Sequence, residues 1–207
     1  MPPAVLARRY ELLSELGRGS MGTVWRARDL RFDRLVAVKM VRLGNTAAGF
    51  EGQLAGRFDR EILALGRLNH PNIAVAYDAG REGDQMYLVT ELVAGQSLAE
   101  LVRERNADGL GPFPIDAALD IAAQVCNGLA VAHRAGVVHR DLKPANLMVS
   151  DAAEVKIVDF GIARLVEDNL PRLTQPGTMV GTLAYGSPEQ LEGKVVDGRS
   201  DLYALGC

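Results

Sequence analysis

Residues 138–148 read VHRDLKPANLM, and residues 159–161, which follow a run of β-branched residues, read DFG. Asp141 and Asn146 therefore lie on one short, proline-containing segment, and Asp159 follows at the end of the next predicted strand. Two carboxylates and one amide oxygen suit a hard cation such as Mg²⁺, which binds protein oxygens and phosphate oxygens together. A single aspartate is more often a turn or capping residue, but the joint pattern is too specific for chance and indicates a metal-binding cleft.

A second motif lies nearer the amino end, where residues 16–24 read LGRGSMGTV. Gly17, Gly19 and Gly22 have the G-x-G-x-x-G spacing, which alone is weak because it also occurs by chance and in dinucleotide-binding folds. In those folds the glycines open a helix, whereas here β-branched and aromatic residues follow at 23–25 and predict a strand. The motif therefore favours a glycine-rich hairpin whose backbone N–H groups approach phosphates, with a purely structural turn as the alternative.

One lysine stands in an apolar strand downstream of the glycines. Lys39 lies beside Ala37 in the stretch VAVKMV, and lysine is rarely buried without a partner. Glu61, on a predicted helix, is the candidate ion-pair partner. Taken singly, Lys39 is also explained as an edge-strand residue whose head reaches water, and Glu61 as an exposed helical carboxylate.

Strand-like patterns dominate residues 10–92, with strands predicted at 36–41 and 86–92. One helix interrupts them, because Phe58, Ile62 and Leu65 recur at helical spacing.

Helical patterns dominate from residue 95 onward. Residues 97–100 form a capping box that opens a helix to about Arg105, and residues 106–114 read as a loop. A long helix follows from about Ile115, and Gly136 supplies its C-terminal stop. Short strands beside Asn146 and at 155–158 and an irregular segment at 164–186 come next. A β-rich first part and a helix-rich second part predict two lobes with a cleft between them. The apolar stripe of the long helix is Leu119, Ala122, Val125, Leu129 and Ala132.

Composition excludes several classes of protein. The 207 residues carry 23 Lys+Arg against 26 Asp+Glu, and 48% of them are hydrophobic, which is ordinary for a globular domain and leaves no basic surface for nucleic acid. Cys126 and Cys207 cannot form a disulfide scaffold or a zinc cluster. We see no apolar run near the roughly 20 residues that span a bilayer and no signal peptide, so we expect a cytoplasmic chain without a membrane segment.

Together these motifs resemble the eukaryotic-type serine/threonine protein kinases, whose motif set they match in order over residues 10–207. Met21, Ala145 and the sequence SPEQ at 187–190 resemble the bacterial branch. The resemblance implies an α+β, two-lobed protein-kinase fold with an N-lobe at about 10–93 and a partial C-lobe at about 94–207. It implies transfer of the ATP γ-phosphate to Ser/Thr hydroxyls of proteins, with Mg²⁺ or alternatively Mn²⁺ as the metal.

The resemblance also implies roles for individual residues. Asp141 would orient the substrate hydroxyl and accept its proton, while Lys143 would contact the γ-phosphate. Lys39, held by Glu61, would bind the α- and β-phosphates under the glycine loop. Asn146 and Asp159 would hold the metal. The adenine site would comprise Leu16, Val24, Ala37 and Met148, with Thr90 guarding the back of the pocket and Glu91 and Val93 offering backbone hydrogen bonds.

The same resemblance implies how the activity would be regulated and how much of the family's catalytic domain the given sequence contains. Arg140 would bind a phosphate on the activation segment at Thr174 or Thr178, which predicts autophosphorylation there. Asp201 would brace the catalytic loop, which is the segment that carries Asp141. Glu189 would pair with an arginine beyond Cys207, where family members continue through further helices. We therefore expect that the chain as given binds nucleotide better than it turns over a peptide. Position 187 is serine where the family has alanine, and we expect this change between two small residues to have no harmful effect on the protein.

Three functional hypotheses remain at this point. The first is an active protein kinase that acts on protein substrates, and the resemblance allows a dimer of two kinase domains. The second is a catalytically weak kinase-like fragment that binds nucleotide or a partner. The third, a small-molecule phosphotransferase, is disfavoured by Gly181-Thr182 and Pro188-Glu189, which shape a peptide platform in the resembling family.

Overall fold

The computed structural model describes residues 5–19, 22–42, 62–83, 85–160 and 183–207, without the side chains of Arg42 and Leu183. These residues divide into two compact units. The first unit takes in the described residues up to 67 together with 75–92, and the second takes in residues 68–74, 93–160 and 183–207.

The first unit contains an antiparallel sheet. Its strands within the described ranges are β1 (Val5–Leu6), β2 (Tyr10–Gly19), β3 (Gly22–Asp29), β4 (Arg34–Arg42), β5 (Ala76–Glu82) and β6 (Gln85–Glu91). They are arranged in the order β1-β2-β3-β4-β6-β5. The predicted strand at 36–41 lies in β4, and the one at 86–92 lies in β6 apart from its last residue, which confirms both.

Side chains of β4 alternate between the two faces of this sheet, as the period of a strand requires. Val36, Val38 and Met40 are buried in the core of the unit, whereas Ala37 and Lys39 lie half-buried on the opposite face. The core cluster and the predicted nucleotide-binding residues of β4 therefore lie on opposite faces of the sheet. Leu6, Tyr10, Ala27, Tyr87 and Val89 complete the core cluster.

The helix predicted around Phe58, Ile62 and Leu65 is described only in part. Residues 62–65 are helical and Leu65 is buried. Phe58 and Glu61 lie outside the described residues, so the predicted ion pair between Lys39 and Glu61 stays a prediction.

The second unit combines a small sheet with helices. Its strands and α-helices in the described part of the chain are β7 (Gln96–Ser97), α1 (Leu98–Ala107), α2 (Ile115–Arg134), β8 (Leu147–Val149), β9 (Val155–Ile157), α3 (Pro188–Leu191) and α4 (Gly198–Gly206). Short 3-10 helices cover Pro144–Asn146 and Leu183–Tyr185. The three strands form an antiparallel sheet in the order β7-β8-β9.

The capping box predicted at the start of α1 is present. The Ser97 hydroxyl accepts from the Glu100 N–H at 3.2 Å, and the Glu100 carboxylate accepts from the Ser97 N–H at 2.8 Å. This reciprocal pair satisfies N–H groups that a helix start leaves without intrahelical partners.

The apolar stripe predicted on α2 is buried only in its carboxyl-terminal half. Val125, Leu129 and Ala132 are buried, whereas Leu119 belongs to the same stripe and is 63% exposed. Periodicity predicts which face of a helix is apolar, and it does not predict how much of that face is covered. Gly136 adopts φ 76° just after the helix, as predicted for its stop.

The same helix qualifies the expectation that no apolar run could span a membrane. In the described part of the chain, α2 is the one helix that is long and apolar enough, by length and composition alone, to cross a membrane. The expectation is therefore wrong for these 20 residues. Such a match is weak evidence, because core helices pass the same test.

The sequence predicts strands on both sides of Asn146, and only the strand after it, β8, forms. The residues before it, 137–143, are not in a strand. The N–H groups of His139 and Arg140 donate to the side chain of Asp201 rather than to a neighbouring strand.

Candidate active site

The glycine motif forms the predicted hairpin: β2 and β3 pair antiparallel, with Gly19 opposite Gly22. Gly22 has φ 149°, and a Cβ built on it would lie 2.0 Å from the carbonyl oxygen of Met40. No described atom lies within 4 Å of a Cβ built on Gly17 or Gly19. Packing therefore requires glycine at position 22, whereas the other two positions leave backbone accessible to a ligand.

This difference predicts separable effects of two alanine substitutions. Gly22→Ala should destabilise the first unit by about 1–3 kcal/mol, because both the backbone conformation and the contact with Met40 oppose a side chain. Gly19→Ala should leave the unfolding midpoint nearly unchanged and weaken ATP binding. Urea unfolding followed by Trp25 fluorescence, together with an ATP titration, measures both quantities. Equal stability of the two variants would contradict the role assigned to Gly22.

Lys39 lies half-buried on the face of the sheet opposite the core cluster, beside other predicted nucleotide-binding residues. It is paired with Val24 on β3 and with Leu88 on β6. Ala37 is paired with Thr90 on β6. Directly opposite residues of an antiparallel pair project to the same face with Cβ atoms about 5 Å apart. The structure thus places Val24, Ala37, Lys39 and Thr90 on one patch of the first unit.

Glu91 ends β6 and is tied to residue 75. Its N–H donates to the Val75 carbonyl at 2.8 Å, and its carboxylate accepts from the Val75 N–H at 3.3 Å. A backbone contact from Glu91 to adenine would therefore come from its carbonyl oxygen. Leu16 is 52% exposed on β2, while Val93 and Met148 lie half-buried in the second unit.

The predicted catalytic residues of the second unit meet in one cluster. The Lys143 ammonium donates to the Asp141 carboxylate at 2.8 Å. The side-chain amide of Asn146 donates to the Asp141 carbonyl at 2.8 Å and lies 3.4 Å from its carboxylate. Asp141 thus has a cation and a fixed amide beside it on a loop of only a few residues.

The predicted metal ligands lie on adjacent backbone segments. Asn146 is buried, and its carbonyl accepts from the Val158 N–H at 3.0 Å, directly before Asp159. Asp159 adopts φ 64°. Because Asn146 Nδ2 donates to Asp141, its Oδ1 is the atom that can ligate a cation. An amide and a carboxylate oxygen fit Mg²⁺, which is usually bound by few protein oxygens and by phosphate oxygens.

A buried carboxylate on α4 braces the catalytic loop, as the kinase resemblance implied. Asp201 Oδ2 accepts from the His139 N–H at 2.8 Å and contacts His133 Nε2 at 2.7 Å, and its Oδ1 accepts from the Arg140 N–H at 2.8 Å. Arg140 has φ 65°, a conformation that residues with side chains rarely adopt. Asp201 therefore stabilises a backbone shape that the loop would not favour alone.

His139 lies within the catalytic motif, but the sequence predicted no role for it. It is fully buried, and desolvation lowers the pKa of its imidazole. Nδ1 accepts from the Asp141 N–H at 3.2 Å, so Nε2 carries the proton and donates to the Val158 carbonyl at 3.0 Å. The neutral ring thus connects the Asp141 N–H to Val158, the residue before Asp159, and its centroid lies 4.9 Å from that of Phe160.

Residues 187–190, which read SPEQ, make hydrogen bonds that the sequence did not predict. The Glu189 carboxylate accepts from the Ser200 hydroxyl. Ser187 is buried and caps α3 together with Gln190, so the residue that replaces the family's alanine has a local structural role. Three predicted site residues, Glu61, Thr174 and Thr178, lie outside the described part of the chain.

Comparisons with known proteins relate this chain to protein kinases. Residues 10–207 match the protein kinase domain family. The chain is 43% identical over 207 to 209 residues to serine/threonine-protein kinases, including PknB of Mycobacterium leprae, for which the match covers 99% of this chain and 32% of PknB. It is 42% identical to PknL of Mycobacterium tuberculosis, over 98% of this chain and 48% of that protein.

A solved structure shows the same fold. A point mutant of the PknI kinase domain of Mycobacterium tuberculosis superposes with a TM-score of 0.76 at 28% identity, over 99% of this chain and 73% of that one. This confirms the predicted protein-kinase fold. The chain spans about a third of the length of the first curated relatives that it matches. By its motifs, its fold and the match over residues 10–207, the chain belongs to the protein kinase domain family.

Proposed function

We propose that this chain is the catalytic part of a serine/threonine protein kinase, which transfers the γ-phosphate of ATP to Ser and Thr hydroxyls of proteins. The observation that carries the proposal is the Asp141 cluster, in which Lys143 and Asn146 contact Asp141 on a backbone held by Asp201. Phosphoryl transfer needs alignment and charge neutralisation more than covalent help from the protein. The cluster offers both.

Each residue has one task in this proposal. Asp141 orients the acceptor hydroxyl and takes its proton, and Lys143 neutralises charge on the γ-phosphate. Asn146 and Asp159 hold the metal. A bound Mg²⁺ or Mn²⁺ would supply further charge neutralisation at the phosphates.

The first unit supplies the nucleotide-binding residues. Lys39 binds the α- and β-phosphates, and the backbone at Gly17 and Gly19 approaches the phosphates without obstruction by side chains. Val24 and Ala37 contact the adenine. Cys126 and Cys207 are both free thiols, which fits our proposal that the reaction takes place in the reducing cytoplasm.

Lys39→Met tests this assignment. Methionine keeps apolar bulk in β4 and removes the cation, so phosphate transfer should fall at least about a hundredfold while Trp25 fluorescence reports an intact first unit. Lys156→Met, which removes a half-buried lysine from β9 in the second unit, is the matched control and should retain most activity. Transfer at the wild-type rate in Lys39→Met would rule the assignment out.

We further propose that the kinase phosphorylates itself on Thr174 or Thr178. Arg140 directly precedes Asp141, and a phosphothreonine adds roughly −1.5 to −2 charges that an arginine can bind. Mass spectrometry after incubation with Mg-ATP should find phosphate on one of these threonines, and none in Asp141→Asn. Phosphate confined to sites outside residues 159–189 would contradict this part of the proposal.

A further inference from the structure

Gln190, in α3, uses both ends of its side-chain amide. Its Oε1 accepts from the Ser187 N–H at 3.0 Å and lies 3.2 Å from the Ser187 hydroxyl. Its Nε2 donates to the carbonyl of Arg140 at 2.7 Å. Because the oxygen can only accept and the nitrogen can only donate, these contacts fix the orientation of the amide group. Gln190 therefore links the start of α3 to the catalytic loop.

The Arg140 carbonyl belongs to the peptide group that joins Arg140 to Asp141. The N–H of the same peptide group donates to His139 Nδ1 at 3.2 Å. A peptide group is planar, so contacts at its carbonyl and its N–H together fix the orientation of its plane. The Cα of Asp141, which bears the side chain, lies in this plane. Asp201 holds the two preceding N–H groups, those of His139 and Arg140. Gln190 thus restrains the loop at a different peptide group from Asp201.

We propose that Gln190 is a positioning residue for phosphoryl transfer, whose Nε2 donor fixes the Arg140–Asp141 peptide group and so orients the Asp141 carboxylate. The left-handed φ of Arg140 supports this, because a loop in an unfavourable conformation relaxes when a restraint is removed. The inference rests on the proposed function of Asp141.

Gln190→Glu separates the two roles of the side chain. Glutamate is a usual partner in a capping box, so the variant keeps the cap of α3. It replaces the donor to Arg140 with an oxygen that faces a carbonyl oxygen. We expect kcat to fall about tenfold or more, because small displacements of a reacting group have large costs. The KM for ATP should change by less than about twofold, since the proposed ATP contacts lie on other residues.

Three further variants distinguish loss of the donor from added charge and from loss of the cap. Gln190→Met removes the donor without adding charge and should lose kcat like Gln190→Glu. Leu191→Glu adds the same charge at a neighbouring, 54% exposed position and should keep the wild-type kcat. Ser187→Ala removes the capping hydroxyl while leaving the donor of Gln190 in place, and it should also keep kcat. Wild-type kcat in Gln190→Glu, or an equal loss in Leu191→Glu or Ser187→Ala, would overturn the proposal.

Amide exchange measured by NMR provides a test that does not depend on activity. In Gln190→Glu the Asp141 N–H should exchange faster than in the wild type, while amides of α4 exchange at unchanged rates. Unchanged protection of the Asp141 N–H would overturn the proposal. If the wild-type chain transfers no phosphate, the proposed function fails, and the exchange rates still decide whether Gln190 holds this peptide group.

Discussion

Asp141→Asn should reduce the rate of phosphate transfer by roughly a hundredfold to ten-thousandfold, the range that a positioned general base contributes. Asparagine has the shape of aspartate and retains an oxygen that can accept from Lys143, so the loop should keep its geometry. It cannot take the proton of the acceptor hydroxyl. The single-turnover rate of label transfer from γ-labelled ATP measures the effect.

Two controls sharpen this prediction. ATP affinity should change by less than about threefold, because the loss concerns the hydroxyl and not the nucleotide. Asp151→Asn makes the same chemical change at an exposed turn of the second unit and should transfer phosphate normally. If Asp141→Asn retains the wild-type rate, Asp141 is not the base, and the proposed reaction at this loop is wrong.

Asp201→Ala should destabilise the second unit by about 3–5 kcal/mol and abolish most transfer. The substitution removes the acceptor of the buried His139 N–H, of the partly buried Arg140 N–H and of the contact with His133. Each buried donor that is left without a partner costs about 1–3 kcal/mol. The catalytic loop then loses the contact that holds Arg140 in its left-handed conformation. Amide exchange across residues 138–146 measures the loss of local stability.

The control for this prediction lies on the same helix. Asp197 caps α4 by accepting from the Arg199 N–H at 2.9 Å, and Asp197→Ala should cost only about 1 kcal/mol. Trp25, the single tryptophan, lies in the first unit, so its fluorescence shows whether the damage stays within the second unit. Similar exchange rates in Asp201→Ala and Asp197→Ala would show that Asp201 does not hold the loop.

Local patterns in the sequence predicted the local structure well. The β-branched and apolar residues at 36–41 predicted β4. The spacing of Ser97 and Glu100 predicted the cap of α1, because the interacting groups are close in sequence. The cluster of Asp141, Lys143 and Asn146 is equally local. Its motif spans few residues, so a single loop conformation brings the side chains together.

Contacts between distant segments were harder to predict. Asp201 and its partners His133, His139 and Arg140 are separated by 61 to 68 positions, and no periodicity connects them. Only the resemblance to a known family indicated this brace. The contact from Gln190 to Arg140 spans 50 positions and carried no sequence signal.

The sequence also did not predict which apolar side chains are buried by neighbouring elements. Leu119 belongs to a regular apolar stripe and is nevertheless exposed, since its burial depends on which elements pack against that end of α2. Leu202 and Tyr203 on α4 are about half exposed for the same reason.

The most direct test of the proposed function is phosphate transfer by the 207-residue chain itself. The chain is incubated with γ-labelled ATP and an acceptor protein that contains Ser, Thr and Tyr, with and without Mg²⁺, and the labelled amino acids are identified after hydrolysis. We expect label in phosphoserine and phosphothreonine only, dependent on Mg²⁺ and absent with Asp141→Asn. Release of labelled inorganic phosphate without any labelled acceptor, or label that persists in Asp141→Asn, would contradict a serine/threonine kinase built on Asp141.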